Sequence, residues 1–106
     1  MFKVLFFLHR RSDLSFGEFL RYSEATHIPL VARVPGLVRY VVNHTAAIPQ
    51  GSGAPYDAVA ELWFASVGDF EAAFTTPEGI AALQDQPNYL DMERTHMLFV
   101  NEKVVI

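Results

Sequence analysis

His27 lies on an apolar stripe. Phe16, Phe19, Leu20, Ser23, His27, Leu30, Val31 and Val34 recur at three- and four-residue steps, which is one face of a helix. An imidazole on that stripe points at whatever the helix packs upon. Near a helix C-terminus, carbonyl dipoles favour the imidazolium, suiting a general acid or a donor to an anionic substrate group. The same position equally serves a core histidine bonded to a carbonyl that Pro29 frees. Glu61 is the second candidate. In Val59-Ala60-Glu61-Leu62-Trp63-Phe64 it shares a face with Val59 and Trp63, whereas Ala60, Leu62 and Phe64 form a wholly apolar face. A carboxylate on a covered face is costly unless paired, and its pKa should rise. That describes a general base beside the Trp63 platform, or else an ion pair, with Arg39 or across a dimer. Tyr40 and His44 alternate on one face of the preceding apolar run, with Arg39 and Asn43 on the other. Tyr40, His44, Trp63 and Arg39 are therefore the candidate substrate-binding residues. Which face of that run lines a cavity stays open. His9, His44 and His96 have no helical or hairpin ligand spacing, so no metal site is expected.

The elements that must position these groups follow from periodicity and punctuation. Phe2–His9 is an intensely apolar run, with Phe2, Val4, Phe6 and Leu8 on one face and Leu5 and Phe7 on the other; it predicts a strand covered on both sides. Ser15 and Glu18 have the capping-box spacing and start the first helix. Pro29 lacks an N–H and crowds the carbonyl of Ala25, so a kink or break is expected near His27, with Pro35-Gly36 as the stop. Leu37–Thr45 and Tyr56–Ala65 predict two strands around the Gly/Pro-rich loop Ala46–Pro55, a long hairpin loop or a lid. Ser66 and Asp69 open a second helix with Val67, Phe70 and Phe74 inward; Thr76-Pro77 restarts a helical turn through Leu83; Gln84–Asp91 is irregular or a short helix. Glu93–Val105 predicts the last strand. Tyr22 is expected to be exposed on its helix.

Strand, helix, strand, strand, helix, strand in one chain of 106 residues predicts a single α+β domain, ferredoxin-like β-α-β-β-α-β. It has a four-stranded antiparallel sheet with both helices on one face. The other face is left bare, and strands one, three and four are too apolar to leave it in water. Composition repeats the signal: 51% hydrophobic but only 19% charged, for a small domain that should need more charge. A homodimer is therefore expected, two sheets face to face around a cavity. The net charge of −4 and the absence of a basic patch beyond Arg10-Arg11 disfavour nucleic acid. No cysteine is present, which removes disulfides, thiolate ligands and a cysteine nucleophile. The apolar run at the start is five residues long and is followed by His9-Arg10-Arg11, too short for a signal peptide. No stretch has membrane-spanning length, and a cytoplasmic location is expected.

The sequence resembles the EthD-domain family of the dimeric α/β-barrel superfamily. The resemblance rests on the first strand ending in Arg10-Arg11 and on Phe16…Phe19. It continues through His27-Ile28-Pro29, Pro35-Gly36-Leu37-Val38-Arg39-Tyr40 and Ala60-Glu61-Leu62-Trp63-Phe64, and covers nearly the whole chain. It implies the ferredoxin-like fold and a homodimer but no settled activity. EthD-like proteins are associated with ethyl tert-butyl ether degradation, in an undefined role beside a cytochrome oxygenase. Similar barrels include cofactor-free quinone-forming monooxygenases, muconolactone isomerases, polyketide cyclases and haem proteins. His27 matches the family's histidine-x-proline position, and the absent cysteine excludes any relative's thiol chemistry.

These readings combine into one functional expectation. A small, mostly apolar, aromatic or lactone-like metabolite binds between sheet and helix. His27 orients or protonates an oxygen, Glu61 accepts a proton, and no cofactor is required for isomerisation or oxygenation. The alternatives are a non-catalytic small-molecule binding or accessory protein, and a structural dimer whose cavity is filled with side chains. A ligand site requires a void of about 300 Å³ or more.

Overall fold

The computed structural model describes residues 1–46 and 54–106. The Ala46–Pro55 stretch, read as a long hairpin loop or a lid, falls mostly on 47–53, outside the described residues. β1 (Phe2–Leu8), β2 (Leu37–His44), β3 (Ala58–Phe64) and β4 (His96–Val100) form one antiparallel sheet in the order β2-β3-β1-β4. Pairing is direct: Val4 opposite Leu62 and Phe99, Tyr40 opposite Leu62, Val42 opposite Ala60. Because cross-strand partners share a face, this register sorts the sheet. Val4, Phe6, Leu8, Ala58, Ala60, Leu62, Phe64, Tyr40, Val42 and His44 face the helices. Lys3, Leu5, Phe7, Val41, Val59, Glu61, Trp63, Arg39 and Leu98 face away. A bulge between Leu37 and Arg39 sets this phase on β2.

Ser15 caps α1 (Phe16–Tyr22) with the complete capping box that Glu18 predicts. The expected break at His27 is gentler. Ser23–His27 forms a π turn in which the Ile28 N–H reaches back to the Ser23 carbonyl, and α2 (Ile28–Val31) carries on. Pro29 offers no N–H to Ala25, and one widened turn accommodates its ring without ending the helix. Ser66 caps α3 (Val67–Ala73) and Thr76 caps α4 (Pro77–Asp85). The two helices meet so closely that a Cβ on Gly79 would lie 2.0 Å from the Ala73 carbonyl oxygen. Gly36, with φ +84°, makes the turn into β2.

The core is Val4, Leu8, Phe19, Val31, Val34, Leu62, Phe64, Tyr89 and Leu90 with several alanines. Two expectations are corrected here. Val67 is 52% exposed; it sits in the first turn of α3, while Phe70 and Phe74 pack inward. The last strand spans His96–Val100 and not Glu93–Val105. Asp91–Arg94 closes a turn, and Lys3 opposite Val100 is nearly the last residue of β1 available for pairing. Among the described residues no helix is long and apolar enough to cross a membrane.

Candidate functional site

A short segment after α4 brings the site together. A 3-10 turn at Gln86–Asn88 follows α4 directly. Backbone hydrogen bonds from Arg11 N–H to the Tyr89 carbonyl (3.0 Å) and from Asp91 N–H to the His9 carbonyl (2.8 Å) tie residues 89–91 to the end of β1. This anchoring seats Tyr89, fully buried, against the rings of Phe19, Tyr22 and His27 at 5.5, 5.1 and 4.8 Å between centroids. It also fixes Asp85 at the end of α4. The π turn aims His27 at the same point, so that His27 Nδ1 lies 2.9 Å from Asp85 Oδ2. Tyr22 Oη donates to Asp85 Oδ1 at 2.5 Å, and Asn88 Nδ2 to the same oxygen at 3.0 Å.

The protonation states follow from these contacts. Burial disfavours the imidazolium and outweighs the pull of Asp85, leaving His27 below the ordinary imidazole range. Burial alone would raise Asp85, but hydrogen bonds from Tyr22, Asn88 and His27 hold it below the usual carboxylate range. The pair is thus a neutral imidazole and an ionised carboxylate. A carboxylate only accepts, so Nδ1 carries the proton and donates, and Nε2 keeps a free lone pair. No hydrogen bond among the described residues occupies Nε2. The expectation of a charged imidazolium at a helix end is therefore corrected: the helix continues past His27, and burial governs.

His27 lines a cavity of about 30 Å³ between sheet and helices, with Phe6, Tyr40, Leu62, Leu83 and Gln86 among its walls. Tyr40 brings a phenol whose pKa burial raises, so it stays a neutral donor. The volume is about a tenth of that expected for a ligand site, with Phe74 and Leu83 among the residues that line its helix side. Leu83 is 40% exposed, an outer wall rather than core. A basin of about 410 Å³ lies elsewhere, open to solvent, where Phe7, Tyr56, His96 and Leu98 meet.

The structure brings His27 and Tyr40 together. His44 lies on the same face of β2 but toward Phe19, 6.4 Å between ring centroids, and its buried Nε2 has no partner among the described residues. Glu61, Trp63 and Arg39 face the other way, so the sheet separates them from His27. Glu61 pairs with Lys3 at 2.9 Å and accepts from Asn43 at 3.0 Å. Lys3, with Asn43 beside it, holds Glu61 below the usual carboxylate range, opposite to the expected rise. Its ion-pair partner is thus Lys3 and not Arg39. Trp63 is no open platform: Lys3 and Arg39 lie over its ring at 4.3 and 4.6 Å, Glu102 accepts from its indole N–H, and it is 6% exposed.

Asp85, Gln86 and Tyr89 escaped the sequence reading as site residues. Asp85 carried a readable signal, since Gly79, Ala82 and Asp85 share the buried side of α4. A carboxylate on an apolar stripe is the same signal that singled out His27. Tyr22, expected to be exposed, is instead held by Asp85 and Tyr89.

The family model described as the EthD domain matches residues 11–93, most of the chain. The chain belongs to the EthD family. This EthD-domain protein is 31% identical over 107 residues to an uncharacterised 11.0 kDa protein of the thcB-thcC intergenic region of Rhodococcus erythropolis; the match covers 100% of this chain and 99% of the relative. It is 31% identical over 77 residues to a 4-carboxymethyl-4-methylbutenolide mutase of Pseudomonas reinekei, covering 67% of this chain and 71% of that protein. Among solved structures, an EthD family protein from Bacillus halodurans superposes with a TM-score of 0.81 at 21% identity, covering 97% of this chain and 100% of the other. A dimeric protein of ferredoxin-like fold from Bacteroides fragilis superposes with a TM-score of 0.69 at 15% identity, covering 95% of each chain.

Proposed function

We propose that this EthD-domain protein is a homodimer that binds a small, mostly apolar, oxygen-bearing metabolite of lactone or phenolic type between sheet and helices, and moves a proton on it. The observation that carries this reading is the Asp85–His27 pair, its Nε2 without a hydrogen-bond partner among the described residues, on the same apolar cavity as Tyr40. His27 Nε2 takes a proton from a carbon next to a carbonyl, or from a hydroxyl. The imidazolium so formed is stabilised by ionised Asp85, and the Tyr40 hydroxyl donates to the developing oxyanion. Return of the proton to another carbon of the enolate completes an isomerisation. The mutase name of the Pseudomonas reinekei relative supports this class. Entry requires Leu83 and Phe74 to swing outward, which their partial exposure allows.

The dimer covers the outward face, where Leu5, Phe7, Val41, Val59 and Leu98 form an apolar surface and Leu98 is 51% exposed. Glu61, Arg39 and Trp63 belong to that face and to the subunit contact. The experiment is solvent deuterium exchange into a panel of butenolides and hydroquinones. His27→Gln is expected to lower exchange at least about 100-fold. Undiminished exchange would end the assignment of His27. The small volume of the cavity favours a second reading, a binding or accessory protein without turnover; saturable binding with no exchange in the wild type would select it.

A further inference from the structure

The charges of this chain say which ligands the cavity admits. All eight of its cations lie elsewhere. Lys3 and Arg39 lie over Trp63 on the outward face. Arg10 pairs with Asp57, Arg11 with Asp13 and Arg94 with Asp91. Arg21, Arg33 and Lys103 are exposed to solvent. The stretch 47–53 contains no charged residue, so it brings none to the site. The polar groups on the cavity wall are His27, Tyr40 and Gln86. Asp85, a carboxylate, stands directly behind the imidazole, 2.9 Å from its Nδ1.

A carboxylate ligand would leave water for a wall that holds no Lys or Arg, and the burial that keeps His27 neutral also opposes charging it as a countercharge. That loss is larger than what one phenol and one amide return. We infer that the pocket selects uncharged ligands, such as lactones, esters and phenols, and rejects carboxylates. This inference rests on the reading of the cavity as the ligand site. It separates this protein from the relative whose name carries a carboxymethyl group.

The test uses 4-carboxymethyl-4-methylbutenolide and its methyl ester, titrated at pH 7.5 with the His27 ring signals followed by NMR. Ester binding at least about 100-fold tighter than the acid is expected. Gln86→Arg places a cation on the wall, and should shift the preference toward the acid by tenfold or more. Acid binding as tight as ester in the wild type would overturn the inference while leaving the site reading intact. If neither compound, nor methyl phenylacetate as a third probe, moves the His27 signals, the site reading fails and the inference with it.

Discussion

Replacing Asp85 by Asn tests the chemistry of the pair with little change of shape. Asp85 accepts three hydrogen bonds, from Tyr22 at 2.5 Å, His27 at 2.9 Å and Asn88 at 3.0 Å. An amide presents one oxygen and one NH₂ in the same space. With its oxygen kept by Tyr22 and Asn88, its NH₂ faces His27 Nδ1, and two donors cannot share that contact. The imidazole then moves its proton to Nε2, so the lone pair leaves the cavity. Losing the carboxylate also removes the influence that raises the His27 pKa, so the histidine should titrate still lower. A positioned base contributes about 10²–10⁴ in rate, and a base held in the wrong tautomer forfeits that range. Hydrogen bonds to a charged group contribute about 1.5–3 kcal/mol each, only partly lost in the amide. A stability loss of about 2 kcal/mol is therefore expected, a fall in Tm of about 8–16 °C for a domain of this size. The assay is long-range ¹⁵N–¹H correlation of the His27 ring. It should show a protonated Nδ1 in the wild type and a protonated Nε2 in Asp85→Asn. The same tautomer in both proteins would refute the reasoning, whatever happens to Tm.

The remaining predictions concern pH, packing and assembly. His27 is depressed in the folded state, so its contribution to stability is fully present above the unfolded imidazole range near 6.5 and is lost as pH falls toward the lower folded value; urea titrations between pH 7.5 and 5 should show this slope, and His27→Gln should flatten it. Gly79→Ala drives a methyl to 2.0 Å from the Ala73 carbonyl oxygen; the clash, about 3 kcal/mol, exceeds the about 1 kcal/mol gain in helix propensity, and chemical denaturation should report a net loss. Leu98→Lys puts a charge into the proposed subunit contact; sedimentation at micromolar protein should move from dimer to monomer, and an unchanged dimer would relocate the contact.

The fold was legible because its signals were local and agreed with one another. The apolar runs, the Ser15–Glu18 capping box and the Pro35-Gly36 stop each named an element, and the Ala60/Leu62/Phe64 alternation named the helix-facing side of β3. His27 was legible as a histidine out of place on an apolar stripe. Its protonation was not, because that depends on Asp85, 58 residues away in sequence. Glu61 misled for the same reason. Its face was read correctly, but the cation that neutralises it is Lys3, a cross-strand neighbour of Trp63. Faces come from periodicity; partners come from topology, and the phase of β2 hinged on one bulge that no sequence pattern marks.

The central claim is that a small molecule binds beneath α4, between His27 and Tyr40. A crystal of the protein soaked with the butenolide methyl ester tests it most directly. The account predicts Leu83 and Phe74 displaced and the ligand oxygen within hydrogen-bond distance of the Tyr40 hydroxyl, with His27 Nε2 beside it. A ligand seated in the basin by Phe7, Tyr56 and His96, over an unchanged 30 Å³ cavity, would contradict it.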